Sequence, residues 1–184
     1  MTRSAVFLDR DGTLNAVEVR GEKGYSPRRL EDFHLLPDAL SATQALKDAE
    51  FLLIVVTNQP DIGNGDIEIS LVEAMHARLR AALPIDDIVV CPHAQSAGCD
   101  CRKPKAGMLR AAAAKWDIDL TRSYMVGDRV SDVLAGQEAG CYTIFLNRDY
   151  GETRDKQFSA DTTVLTLGAA AGVILERHKK IGKQ

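Results

Sequence analysis

Five short apolar segments, each ending at a polar or turn residue, set the tightest limit on how this chain can fold. They occupy residues 4–8, 51–56, 87–90, 123–126 and 141–146. Continuous apolar runs of this length between turn residues are typical of strands buried on both faces. Such strands belong to parallel sheets that are covered by helices on each side.

Helical patterns occupy the stretches between these strands. Helices are predicted over 38–49, 70–83, 107–116, 131–139 and 167–178. Ser70, with Glu73 three residues later, predicts a capping box at the start of the second helix. Strand and helix alternation predicts an α/β fold, a three-layer Rossmann-like parallel sheet with helices on both faces and right-handed crossovers. At 184 residues we expect one domain over 1–184.

Two stretches do not follow this alternation. Residues 15–33 are polar and contain Gly21, Gly24 and Pro27, which predicts a small hairpin or flap. Residues 91–104 form a loop that contains three cysteines and a histidine. We expect these two stretches to add function to the sheet rather than to extend it.

Composition excludes several classes of partner. Lys and Arg number 23 against 26 Asp and Glu, and no basic stripe supports binding to nucleic acid or to an anionic membrane. The longest apolar run, 51–56, is far short of the roughly 20 residues of a spanning helix. The first residues lack the apolar region of a signal peptide. We therefore expect a cytoplasmic monomer with no nucleic-acid or membrane partner.

Polar side chains follow directly after the predicted strands. Ligands of open parallel sheets bind beyond the carboxyl ends of the strands, so these side chains should meet at one edge. They are Asp9, Asp11, Thr57, Asn58, Cys91 and Asp128.

Asp9 and Asp11 form a pair of carboxylates two residues apart. In an extended backbone they point to the same side, with Arg10 turned away. Their repulsion raises one pKa unless a cation neutralises them, and Mg²⁺ prefers such oxygen ligands. Asp128 would complete this acidic corner. Taken alone, an Asp-x-Asp pair is also common on protein surfaces.

The cysteine loop carries a second set of ligands. Three thiols and one imidazole lie within eleven residues, a set that tetrahedral Zn²⁺ accepts without an open position. They belong to Cys91, His93, Cys99 and Cys101. The alternative is a group of scattered buried cysteines, which is how we interpret Cys141. Zinc bound at Cys101 would restrict the backbone that positions Arg102 and Lys103 at the site. It would take no part in the chemistry.

Four motifs, in order, resemble those of the haloacid dehalogenase superfamily. They are Asp9-Arg-Asp-Gly-Thr13, Thr57, Lys103 and Gly127-Asp128-Arg-Val-Ser-Asp132, within residues 4–146. The resemblance implies that Asp9 attacks phosphorus to form an aspartyl phosphate, while Asp11 serves as acid and then as base.

The same resemblance implies the remaining site residues. Asp9, the backbone carbonyl of Asp11 and Asp128 would hold Mg²⁺. Phosphoryl oxygens would be bound by Thr57, Asn58 and Lys103. Thr57 and Asn58 also fit a plain strand end, and Asp132 fits either a helix N-terminal acid or a support for the metal.

The cysteine loop with Arg102-Lys-Pro104 resembles the histidinol-phosphatase-like branch of the superfamily. That branch includes phosphatases of D-glycero-D-manno-heptose 1,7-bisphosphate and of histidinol phosphate. The segment 102–108 favours removal of the C7 phosphate of the heptose, with histidinol phosphate as the alternative substrate. Departures weaken the choice of substrate: Asn64 stands where an arginine is expected, and Lys105 and Ala106 replace His-Pro.

The branch has no large cap domain, and the short inserts of this chain agree with that. Substrate selection would fall to the flap at 15–33, the 59–66 loop and the zinc loop at 91–104. Arg102 and Arg129 are our candidates for a second phosphate, since a guanidinium suits bidentate contact, although Arg129 also fits a solvated surface position. A phospho-aspartate signalling domain is a further alternative, but such domains lack the second Asp of the first motif.

Overall fold

A six-stranded parallel sheet forms the centre of the computed structural model, which describes residues 2–151 and 157–181. Its strands are β1 Ala5–Leu8, β4 Leu52–Asn58, β5 Asp87–Cys91, β6 Tyr124–Gly127, β7 Tyr142–Leu146 and β8 Thr162–Val164. They run in the order β5-β4-β1-β6-β7-β8 across the sheet, and each neighbouring pair is parallel.

Helices cover both faces of this sheet. They are α1 Ala39–Asp48, α2 Pro60–Asn64, α3 Ile69–Ala82, α4 Gly107–Trp116, α5 Val130–Ala139 and α6 Leu167–Ile181. In β1, Val6 and Leu8 pack into the apolar layer of α1, α3 and α6, whereas Ala5 and Phe7 pack into the layer of α4 and α5. Successive side chains of a strand point to opposite faces, so a strand between two helical layers is apolar throughout. The three-layer α/β prediction is confirmed.

A small antiparallel hairpin lies outside the main sheet. It consists of β2 Glu18–Arg20 and β3 Lys23–Tyr25, with Glu18 opposite Tyr25. The hairpin expected within 15–33 is therefore present, and we call residues 15–33 the flap. Among the described residues no helix is both long and apolar enough to cross a membrane.

The structure departs from the sequence prediction at several elements, among them α2, which lies within the stretch 59–66 that was predicted as a loop. The N-cap of α3 is Glu68, with no side-chain capping bond, so Ser70 already lies inside the helix and the predicted capping box is wrong. β4 continues through Thr57 and Asn58, which pair with β5. The edge strand β8 was not predicted, because three partly exposed residues, two of them threonine, carry no apolar run.

Candidate active site

The carboxyl ends of the central strands bring three acids together. Asp9 follows β1 and Asp128 follows β6, and these strands are neighbours in the sheet. Asp132 joins them from the first turn of α5. One carboxylate oxygen from each of the three lies within 4.8 Å of the others, and all three residues are buried. The expected meeting of Asp9 and Asp128 is present, and we call these three residues the acid cluster.

One lysine lies against this cluster. The Lys103 Nζ is 2.7 Å from Asp9 Oδ1 and 2.6 Å from Asp132 Oδ1, and it donates to the Val56 carbonyl. Burial raises the pKa of Asp9 to about 6, with Lys103 opposing and the charges of Asp132 and Asp11 adding to the rise. Burial, and then the neighbouring Asp9 and Asp132, hold the pKa of Asp128 well above its usual range. One ammonium against three buried carboxylates leaves an excess of negative charge.

The acid cluster fits a divalent cation. Both carboxylate oxygens of Asp128 are buried, and the Tyr150 hydroxyl lies beside this carboxylate. Gly12, at φ +86°, lies so close that a Cβ there would be 2.0 Å from Asp128 Oδ2. Buried carboxylate oxygens, in a group that carries excess negative charge, suit a hard cation such as Mg²⁺.

Asp11 has a very different environment from Asp9. Its carboxylate accepts hydrogen bonds from Arg10 Nη2 at 2.9 Å, Asn15 Nδ2 at 2.9 Å, and Gln59 Nε2 and Ser26 Oγ at 2.8 Å each. Burial alone would raise the pKa of Asp11, but the Arg10 charge and these hydrogen bonds outweigh it and lower that pKa. The prediction that Arg10 turns away is wrong, because the chain leaves the extended conformation after β1 and Arg10 folds back onto Asp11.

The Arg10 side chain is itself held in place by residues of other elements. It is fully buried, its Nη1 is 3.1 Å from His76 Nε2, and its guanidinium lies 5.6 Å from the centre of the Phe33 ring. Burial, and then the charge of Arg10, lowers the pKa of His76 to about 4. The imidazole is therefore neutral at pH 7 and accepts from Arg10.

Two polar side chains at the end of β4 face different partners. Thr57 is buried and its Oγ1 accepts from Gln59 Nε2 at 2.9 Å. Asn58 binds the backbone of Lys103 twice, accepting from its N–H and donating to its carbonyl, both at 3.1 Å. The amide of Asn58 thereby sets the backbone position of Lys103.

The cysteine loop gathers its four predicted ligands. Their ligand atoms lie within 4.8 Å of one another, and they belong to Cys91, His93, Cys99 and Cys101. Cys91 Sγ is 3.6 Å from Cys99 Sγ, and Cys99 Sγ is 3.5 Å from Cys101 Sγ. Sulfurs at 2.3 Å from a tetrahedral zinc are roughly 3.8 Å apart, so this spacing suits zinc. Burial and the two neighbouring thiols raise the pKa of Cys101 to about 12, a cost that a bound cation would relieve.

A pocket of about 430 Å³ opens beside Asp9 and Asp11. The flap forms one wall and the α2 segment the other, while Arg102 and Arg129 line it between them. Arg102 Nη1 is buried and has no hydrogen-bond acceptor among the described residues. Arg129 donates through Nη2 to the Gly24 carbonyl of the flap. The volume suits a small metabolite, and the guanidinium of Arg102 suits an anionic group on it.

Comparison with known proteins identifies the family. The HAD-hydrolase-like family model matches residues 100–169. A D-glycero-beta-D-manno-heptose-1,7-bisphosphate 7-phosphatase of Pseudomonas aeruginosa is 33% identical over 183 residues, covering 96% of this chain and 100% of that protein. A D-glycero-D-manno-heptose-1,7-bisphosphate 7-phosphatase of Thermosynechococcus vestitus is 39% identical over 168 residues, covering 83% of each chain. The chain belongs to this family of haloacid dehalogenase phosphatases.

A solved structure of the family shares the same fold. The D,D-heptose 1,7-bisphosphate phosphatase of B. bronchiseptica, in complex with magnesium and phosphate, superposes with a TM-score of 0.82 at 28% identity. The match covers 95% of this chain and 99% of that one. The present chain is therefore a phosphoric monoester hydrolase, and the acid cluster of this phosphatase lies at the sheet edge where its fold places ligands.

Three residues of this site, Gln59, Ser26 and His76, were not predicted from the sequence of the phosphatase. Gln59 stands two residues after Thr57, and the period of a strand places both on one side, so that spacing was a usable signal. Ser26 and His76 carried no signal, because each reaches the site from an element distant in the chain.

Proposed function

We propose that this phosphatase hydrolyses D-glycero-D-manno-heptose 1,7-bisphosphate at C7 in a Mg²⁺-dependent reaction. The observation that carries the proposal is the buried acid cluster beside Lys103, which opens onto a pocket lined by the guanidinium of Arg102. The names of the curated relatives support the choice of sugar.

Asp9, Asp128 and the backbone carbonyl of Asp11 would hold the magnesium. Bound there, Mg²⁺ would neutralise charge on the phosphoryl group and reduce its repulsion from a carboxylate nucleophile. Asp132 would act on Lys103, its partner at 2.6 Å, and so keep the ammonium next to Asp9. Zinc in the cysteine loop would be structural, since four protein ligands leave no open position.

In the first half of the reaction, a carboxylate oxygen of Asp9 bonds to phosphorus as the bond to the sugar oxygen breaks. Lys103 and Thr57 bind the phosphoryl oxygens in this proposal. The leaving oxygen takes a proton from Asp11 and departs as an alcohol. Without substrate, the surroundings of Asp11 lower its pKa and favour its ionised form. The negative charge of a bound phosphate raises that pKa and so favours the protonated form that donates the proton.

In the second half, water attacks the aspartyl phosphate. Asp11, now ionised, takes the proton of that water, the bond between phosphorus and Asp9 breaks, and inorganic phosphate leaves with Asp9 restored. The donors around Asp11, above all Arg10, stabilise the ionised form that this step requires.

We assign Asn58 to the placement of Lys103 rather than to a direct phosphate contact, because both polar atoms of its amide bind the Lys103 backbone. Arg102 and Arg129 remain our candidates for the second phosphate. Arg102 is the stronger of the two, because its Nη1 is buried and no residue within 2–151 or 157–181 accepts from it, whereas Arg129 already binds the flap.

The test is a comparison of kcat/KM with Mg²⁺ on heptose 1,7-bisphosphate and on histidinol phosphate. We expect the heptose to be preferred, with phosphate released from C7 as observed by ³¹P NMR. A higher kcat/KM on histidinol phosphate would show that the phosphorylated amino alcohol, and not the heptose, is the preferred substrate.

Asp9→Asn is the matched variant for the chemistry. It keeps the size of the side chain and removes the nucleophile, so we expect turnover to fall by about 10⁴-fold or more while the fold and zinc content remain. Retained turnover would show that Asp9 is not the nucleophile.

A further inference from the structure

The flap reaches the proposed acid–base residue directly. Ser26 follows β3, is half-buried, and donates from its hydroxyl to Asp11 Oδ2 at 2.8 Å. Both residues line the pocket. A residue of the substrate-selecting segment is thus bonded to the group that exchanges protons with the substrate.

The donors around Asp11 come from different parts of the fold. Arg10 and Asn15 lie on the segment that follows β1, and Gln59 lies at the end of β4. Asn15 is the first residue of the flap and is fully buried at its base, where it bridges to Asp11 and Leu35. Among the donors to Asp11 in the described ranges, Ser26 is the one that lies beyond the β2–β3 hairpin, so its contact depends on where that hairpin lies.

Two further side chains, those of Arg28 and Arg129, hold the flap across the pocket. Arg28 Nε is 2.9 Å from Asp61 Oδ2, and Arg28 Nη2 is 3.0 Å from Asp66 Oδ2. Arg129 donates to the carbonyl of Gly24. The Arg28 side chain is 47% exposed, so its ion pairs are weak and the flap can separate from the α2 segment at small cost.

We propose that Ser26 is a positioning residue: its hydroxyl holds Oδ2 of Asp11 in place for proton transfer, so that the acid–base group is ordered when the flap lies against the pocket. This inference rests on the proposed function, because it assigns Ser26 a role through Asp11. Ser26 would couple closure of the flap over a substrate to the proton transfer that follows.

The coupling predicts a dependence on the leaving group. A sugar alkoxide is a poor leaving group and needs a proton from Asp11 as its bond to phosphorus breaks, whereas p-nitrophenolate leaves without one. The value of kcat/KM reports steps up to formation of the aspartyl phosphate, which is where this difference acts. Loss of the Ser26 hydroxyl should therefore lower kcat/KM for hydrolysis of the sugar phosphate and leave kcat/KM for the nitrophenyl ester nearly unchanged.

The experiment measures kcat/KM of wild type, Ser26→Ala and Ser26→Thr on heptose 1,7-bisphosphate and on p-nitrophenyl phosphate, with Mg²⁺. For Ser26→Ala we expect a loss of about ten- to a hundredfold on the sugar and of less than about threefold on the ester. Ser26→Thr retains the hydroxyl and should restore most of the sugar activity. Ser26→Cys, of similar size with a weak donor, should repeat the selective loss and serves if the alanine variant misfolds.

Arg28→Gln is the matched control for the flap as a whole. It loosens the same segment but keeps the Ser26 hydroxyl, so its loss of kcat/KM on the sugar should exceed its loss on the ester by less than in Ser26→Ala. An equal loss on both substrates in Ser26→Ala, full sugar activity in that variant, or no recovery with threonine would overturn the inference.

Asp11→Asn separates the two proposals. If Asp11→Asn shows the selective loss and Ser26→Ala does not, the role of Ser26 fails and the proposed function stands. If wild type hydrolyses neither substrate, or Asp11→Asn acts like wild type on the sugar, the proposed function fails and the inference fails with it.

Discussion

At the scale of single residues, Asp9 and Asp11 show how two identical side chains acquire different chemistry. They stand two positions apart, yet Asp9 faces Asp128 and Asp132 while Asp11 faces Arg10 and neutral donors. The pKa of Asp9 is raised and that of Asp11 is lowered. Pairs of acids whose surroundings separate their pKa values are typical of acid–base sites.

His76 predicts a pH dependence of stability at the same scale. Its pKa is near 4 when folded and 6.5 when free, so the unfolded chain binds more protons between these values. The free energy of unfolding should therefore fall as the pH drops from 6.5 towards 4, by up to about 3 kcal/mol from this residue.

Chemical denaturation at several pH values checks this. His76→Gln keeps an acceptor near Arg10 and removes the titration, so its stability should depend less on pH than that of wild type over this interval. His34→Gln, at an exposed position, is the matched control and should follow wild type. Identical pH dependence of wild type and His76→Gln would contradict the assignment.

At the scale of elements, the cysteine loop connects two helices to the site. A Cβ on Gly63 of α2 would lie 2.4 Å from the Ala94 nitrogen, and one on Gly107 of α4 would lie 2.1 Å from the Asp100 carbonyl oxygen. The loop backbone therefore packs directly on both helices. Its last proposed zinc ligand, Cys101, is two residues from Lys103.

Removal of a zinc ligand should therefore act on catalysis through the loop. For Cys101→Ser we expect loss of most of the bound zinc, measured by elemental analysis, and a decrease of about tenfold or more in kcat/KM. Cys141→Ala removes a buried cysteine outside the cluster and should keep both zinc and activity. Full activity in zinc-free protein would show that the loop does not depend on the metal.

At the scale of the whole molecule, the acid cluster is assembled from segments more than a hundred residues apart in the chain, those of Asp9 and Asp128. Folding buries these carboxylates together, which costs free energy that the proposed magnesium ion would offset. This burial raises the free energy of the native state alone, because in the unfolded chain the acids are far apart and hydrated.

Asp128→Asn should therefore have opposite effects with and without magnesium. In chelator at pH 8 we expect the variant to be more stable than wild type by about 1–3 kcal/mol, since one buried acid is removed. Adding Mg²⁺ should stabilise wild type by about 2.7 kcal/mol at a hundred times its Kd, and the variant much less. Thermal unfolding with and without Mg²⁺ measures both effects, and equal stabilisation of the two proteins by Mg²⁺ would place the ion elsewhere.

The sequence by itself determined five of the six strands of the sheet, most helices and the residues proposed for both metal sites. These depend on local periodicity and on motif spacing, because apolar runs must be buried on both faces and strand ends must share an edge. Only the tertiary structure decided which partners surround those residues. The contact of Ser26 with Asp11 and that of Arg10 with His76 join elements distant in the chain, so they depend on how side chains pack, which no local pattern records.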